Sequence, residues 1–324
     1  MLIEADTLTI LLVALVADAL IGDPDMLWRR FPHPVSWMGA LISGLERGLN
    51  REALSFGLRR ALGALALVAV LAICGTIAIA VDAVLRLMPG HPVIAGLVAS
   101  VLLAQNSLYA HVARVRAALA GEGLEAARRA VSMVVGRNPE SLDEAGIARA
   151  AIETTAENFS DGVVAPVFWF ALLGLPGLVL YKAINTADSM IGHRNARFEA
   201  YGWAAARLDD LVNLVPARLA GLLVAFVAPI AGGRIGPALK IMMRDARVHK
   251  SPNAGWPEAA MAGALGVALA GPRQYGDRRV DDPFLNPEGR VAADAGDIAR
   301  ALRLLVAACG LQFVLLAGLA LLAA

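Results

Sequence analysis

The chain has 324 residues, of which 58% are hydrophobic and 18% charged, and a mean hydropathy of +0.61. These values identify a bilayer as its solvent. Lys+Arg 29 against Asp+Glu 28 leaves a net charge of +1, which excludes a nucleic-acid binder that works through a global positive field. Its two cysteines, Cys74 and Cys309, each lie in an apolar run and make neither a disulfide framework nor a zinc site.

In chain order, Glu4 and Asp6 precede the first apolar stretch, where a signal peptide would carry positive charge, so 8–22 reads as retained. Asp18 within it faces protein or water. The turn-rich segment 23–60 carries GDPDMLWRRFPHPVSWMG and brings Asp23 and His33 toward one another in sequence. Runs at 61–88 and 92–109 read as two crossings, since ~20 apolar residues span ~30 Å of hydrocarbon. Segment 111–158 reads as amphipathic helices broken at Gly136-Arg137-Asn138-Pro139. Gly162–Leu180 is interrupted by Pro166 and by LGLPG at 173–177, giving a kinked span or two half-helices. A re-entrant hairpin keeps the polar groups on one side and is the preferred reading. Apolar runs at 214–231 and 301–324 follow. Between them, 258–270 is too short to cross and reads as re-entrant or interfacial, with Gly263 and Gly266 allowing close backbone approach. Arginines at 29, 30, 47, 51, 59, 60, 114, 116, 128 and 129 favour cytoplasmic loops. The expected architecture is an all-α integral membrane helical bundle with polar cytoplasmic-side helices, one catalytic domain over 1–324.

Polar groups concentrate between Glu153 and Arg218, where each buried charge costs roughly 2.5–3.5 kcal/mol in a bilayer. Glu153 and Glu157 share a helix face, with Asn158 and Asp161 about one turn on. Such oxygen ligands suit Mg²⁺. A solvated acidic helix end, helped by Arg149, is the competing reading. Asn185, Asp188 and Ser189 again form one face, followed by Gly192, His193 and Arg194; capping and interhelical hydrogen bonds compete with a functional role. Arg207 with Asp210, Asp209 with Asn213, and Arg218 continue the pattern, as phosphate or oxyanion partners or as a buried Arg–Asp junction. Arg244, Arg247, His249 and Lys250, followed by Ser251 and Asn253, could grip an anion or serve only topology. Trp169, Trp203 and Trp256 read as interface anchors. There is no GxxxxGK[ST], GxGxxG after a strand, or HExxH.

Together, ADALIGDP…HPVSWMG, ETTAENFSDGVVAPVFW, YKAINTADSMIGHR, GWAAARLDDLVNLVPARL and RDARVHKSPNAGWPEAAMAGALGV resemble the cobinamide-phosphate synthase family (CobD/CbiB) of cobalamin biosynthesis. The strings stand in the family's order across nearly the whole chain. The resemblance implies a multi-pass enzyme of the cell inner membrane, an acid–amine ligase using ATP. It would join adenosylcobyric acid to (R)-1-amino-2-propanol or its O-phosphate. The partners so implied are a corrinoid, an aminoalcohol or its phosphate, and the lipid bilayer, with homo-oligomerisation left open and no nucleic acid. The expected catalytic set is Glu153, Glu157, Asp161 and Asp188, the first three also holding Mg²⁺. Asn158, Asn185, Arg194, Arg207, Asp210, Arg218, Arg244, Arg247, His249, Lys250, Ser251 and Asn253 are the expected substrate-binding set, on the cytoplasmic side. A membrane alcohol phosphotransferase and a small-molecule transporter are the alternatives. The first is favoured only by Asp161-Gly162, and no inverted repeat supports the second.

Overall fold

A computed structural model describes residues 4–24, 28–133, 140, 142–275 and 278–323, with backbone alone at 273–275 and 278–280. The break expected at 136–139 lies outside the described residues. The chain is an all-α membrane bundle. Among the described residues, four helical stretches are long and apolar enough to cross a bilayer: Phe56–Arg86, His91–Glu122, Glu144–Ile191 and Ala295–Ala323. Two compact units emerge, one of Met1–Ala104, Ala165–Asn213 and Ala317–Ala324, the other of Gln105–Val164 and Leu214–Leu316.

In the first unit, α1 (Ala5–Ile21) stops at Gly22, whose φ of 60° suits glycine. Asp18 is buried within it, so its expected distance from lipid holds. Helix α2 (Pro34–Leu49) starts on Pro34, with the His33 ring accepting from the Val35 amide at 3.2 Å. The other ring nitrogen of His33 lies 3.0 Å from the Val101 carbonyl and 3.7 Å from Asp23, so the acid and the histidine do meet. Ser55 caps α3 (Phe56–Arg86) through the Leu58 amide, worth about 0.5–2 kcal/mol. The next apolar run is not one straight crossing. Helix α4 (His91–Ser100) ends, and 101–104 are non-helical.

Helix α8 (Ala165–Ile191) is two helices joined at Gly174, whose φ of 64° and ψ of −154° are far from helical. A Cβ at Gly177 would collide with the Trp169 carbonyl, although eight helical residues would separate them by roughly 12 Å. The chain therefore folds back on itself at the LGLPG segment. Helix α9 (Trp203–Val212) packs against α8 and α3.

The second unit contains α5 (Gln105–Ala117), α6 (Leu124–Ser132) and α7 (Glu144–Phe159), the last capped by Asp143 on the Gly146 amide at 2.7 Å. A π-helical turn, Ser160–Val164, follows α7. Then come α10 (Leu214–Phe226), α11 (Ile235–Asp245), α12 (Gly255–Leu265) and α13 (Ala295–Ala323). Every residue of α12 is buried, against α10, α11 and α7. This corrects the interfacial alternative, because its apolar surface meets protein on all sides. Gly263 permits that, because an added Cβ would sit 2.9 Å from the Ala238 Cα. Two short antiparallel pairs, Leu269–Ala270 with Phe284–Leu285 and Arg273–Tyr275 with Arg278–Val280, are the strand pairs among the described residues.

Candidate active site

In the first unit, helical spacing puts Tyr181, Asn185 and Asp188 on one face of α8. Asp209 and Asn213, again four apart, meet that face from α9 and its C-cap. The Tyr181 hydroxyl donates to Asn213 Oδ1 at 3.0 Å, and Asn213 Nδ2 donates to Asp209 Oδ2 at 3.0 Å. Asn185 Nδ2 reaches Asp209 Oδ1 at 3.4 Å. Asp209 is thus held at both oxygens, yet no cation pairs with it among the described residues. Burial, and secondarily the Asp188 carboxylate, push its pKa up to about 7 against the opposing pull of the two asparagine donors. Asp210 is also raised by burial, with Arg207 at 3.5 Å and Arg194 pulling it back. The Asp188 carboxylate lies over Gly192, where any Cβ would collide with it. Both Arg194 and Arg207 are exposed. The expected members Asn185, Asp188 and Asp210 therefore do gather here. Tyr181, Asp209 and Asn213 lie outside the expected set, although the Asp209/Asn213 spacing is visible in the sequence.

The second unit separates what the sequence groups. Glu153 is buried, and its carboxylate accepts the Ala270 amide at 2.7 Å; Ala270 has a φ of 59°, an uncommon conformation for a residue with a Cβ. Glu157 and Asn158 are exposed, and Asp161 lies in the π-helical turn. Asn158 Nδ2 donates to the Thr154 carbonyl at 3.1 Å. Among the described residues, no three His, Cys, Asp or Glu side chains converge as metal ligands. The expected Mg²⁺ set of Glu153, Glu157 and Asp161 does not fit a resident ion, because Glu153 is drawn inward to a backbone amide while Glu157 faces outward.

The basic cluster sorts itself by partner. Arg244 forms a bidentate pair with Asp245, at 2.6 and 2.9 Å, and reaches Glu288 at 3.0 Å. Burial pushes Asp245 up, but the Arg244 hydrogen bonds and the Asn286 amide together hold it below the usual carboxylate range. Lys250 pairs with Asp282 at 2.6 Å. Arg244 and Lys250 thus each have a carboxylate partner. Arg218 stacks over the Trp256 ring at 4.5 Å and is near enough to Arg247 for the two cations to repel. Neither pairs with a carboxylate among the described residues, and like charges so placed suit an anion. Trp256 is consequently a buried stacking surface rather than a membrane anchor. Ser251 Oγ accepts the Asn253 and Ala254 amides, both at 3.2 Å, and His249 Nδ1 accepts the Ser251 amide at 3.0 Å. His249 Nε2 stands 3.8 Å from the buried Glu258. These contacts fix the SPNAGW loop beside the two arginines.

A family model described as CobD/Cbib protein matches residues 11–305. Cobalamin biosynthesis protein CobD of Brucella suis biovar 1 is 52% identical over 302 residues, 91% of each chain. The protein of the same description from Rhodobacter capsulatus is 52% identical over 299 residues, again 91% of each. That of Rhizobium meliloti is 47% identical over 314 residues, 95% of each. No solved structure matches the chain.

Proposed function

Because the chain belongs to the CobD/CbiB family of cobalamin biosynthesis proteins, we propose that it is an adenosylcobinamide-phosphate synthase. It joins the free carboxylate of adenosylcobyric acid to (R)-1-amino-2-propanol or its O-phosphate. MgATP is a co-substrate that activates the carboxylate: a carboxylate oxygen bonds to the γ-phosphorus and ADP leaves. The amine nitrogen then bonds to the acyl carbon, phosphate departs, and the ammonium proton must go to a base.

Asp209 carries this reading. A carboxylate with a pKa of about 7 is ionised in a useful fraction near neutrality and still basic enough to take a proton. Asn185 and Asn213 hold its two oxygens, so the carboxylate is oriented before the proton arrives. Tyr181 fixes Asn213 in turn. In the second unit, Arg218 and Arg247 receive a phosphoryl group, with Trp256 keeping the Arg218 guanidinium in place. Glu157, Asn158 and Asp161 remain proposed as polar contacts to substrate at the end of α7. The arginine-rich loops support an inner-membrane, multi-pass protein whose polar segments face the cytoplasm.

The test is an assay of purified protein with adenosylcobyric acid, MgATP and either amine, resolved by mass. The expected product is the amide, formed with one ADP and one phosphate. Failure to form it with either amine overturns the reading.

A further inference from the structure

The second unit holds a further cavity, lined by none of the residues of these clusters. It has a volume of about 940 Å³ and lies between α5, the turn after α10, and the start of α13. One side of it is a closed charge system. Asp294 and Asp297 cap α13 reciprocally, each carboxylate accepting the other's amide at 3.0 Å. The buried Asp297 also receives Arg290 at 2.6 Å and Arg300 at 3.2 Å. Two arginines and two aspartates therefore balance. The other side does not balance: Arg116 from α5 and Arg303 from α13 also line the cavity, and neither pairs with a carboxylate among the described residues. Two positive charges remain in a wall that contains no further acid.

The rest of that wall is apolar and open. Tyr109, Ile230 and Val306 line it and are 45%, 59% and 57% exposed. Arg303 is the last charged residue of α13 and is followed by a run that is apolar except for Gln312, the place at which arginine and tyrosine meet the headgroup layer. A small free anion would use the two guanidiniums and leave the apolar surface wet. A molecule with a phosphate and a hydrocarbon chain uses both.

We propose that this cavity binds the phosphate of an anionic phospholipid through Arg116 and Arg303, with the adjoining acyl carbons against Tyr109, Ile230 and Val306. The inference is independent of the amide-forming reaction, and its test reads lipid retention instead of turnover. Phosphatidylglycerol is titrated into the purified full chain in neutral detergent and bound copies are counted by native mass spectrometry. The expected result is a saturable copy that Arg116→Gln with Arg303→Gln weakens roughly tenfold or more. Val306→Asn should weaken it less, by loosening the chain rather than the phosphate. Each single arginine variant is measured as well, so a double variant that fails to fold leaves the test intact. Retention unchanged in the single variants overturns the proposal. Displacement by millimolar inorganic phosphate as readily as by lipid would assign the site to a free anion and overturn the lipid reading.

Discussion

The acidic cluster of the first unit and the basic cluster of the second handle charge in opposite ways. Around Asp209, three carboxylates crowd together and only asparagine side chains donate to the buried one. Around Arg244, each strong charge has an opposite partner at hydrogen-bonding distance. A buried charge without a counterion is held in tension and titrates near neutrality; a paired one is held far from it. The lesson is that charge count along the sequence does not locate chemistry. Unbalanced charge is what the proposed site rests on, and within the basic cluster it singles out Arg218 and Arg247.

Asp209→Asn is the strongest way to break the comparison. It keeps the shape and removes the base, and kcat should fall roughly 10²-fold or more. In the unsubstituted chain, kcat/KM should rise with pH through a midpoint at about 7, and that limb should vanish in the variant. Stability should change in the other direction. The folded pKa of about 7 lies above the ordinary 3.8, so the folded chain retains a proton that the unfolded chain loses. That contribution is full below pH 3.8 and is lost as pH rises through about 7. At pH 8, Asp209→Asn should therefore melt higher than the parent while turning over more slowly. A variant of normal activity would remove Asp209 from the chemistry.

Next in size, Arg218→Ala or Arg247→Ala should raise the KM of the phosphorylated substrate roughly tenfold, the loss of one charge-assisted contact. Arg244→Ala should leave KM alone and lower the melting temperature, because it strands Asp245 beside the Asn286 amide. A KM effect from Arg244 as large as that from Arg247 would erase the distinction drawn between them. Glu153→Ala should cost about 1–3 kcal/mol, the penalty of orphaning the buried Ala270 amide, without an effect on MgATP dependence. The smallest expected effect is from Asp188→Asn. Removing that charge should move the pH midpoint of kcat/KM downward, since Asp188 is one of the groups that raise Asp209. An upward or unchanged midpoint would contradict the electrostatic account.

Much of this is legible in the order of the amino acids. Gly174 and Pro176 mark the reversal in α8, and Asn185 with Asp188 marks a polar face. Period and composition carry that information locally. What escapes is non-local. Tyr181 closes an apolar run and acquires meaning only from Asn213 opposite it. Arg244 pairs with its own neighbour Asp245, but its second partner Glu288 and the Asn286 amide that holds Asp245 lie over 40 positions downstream, which no window on the RDARVHK segment contains. Glu153 and Glu157 do share a helical period, but tertiary packing draws one inward and leaves the other outside. Arg116 is legible as a topology charge and nothing more, because its cavity is closed by residues nearly 190 positions away.

Helix α12 has one more consequence, for the order of assembly. With no face turned outward, it cannot settle against a bilayer surface or on any single neighbour. The walls from α7, α10 and α11 must exist first, and the segment must then be inserted between them, glycine at 263 allowing an approach to Ala238 that a Cβ would obstruct. During synthesis those walls precede α12, so the nascent chain meets its elements in the sequence that insertion requires. A circular permutant that releases α12 ahead of α7 would present an apolar, uncovered segment with nowhere to dock, and aggregation would compete with folding.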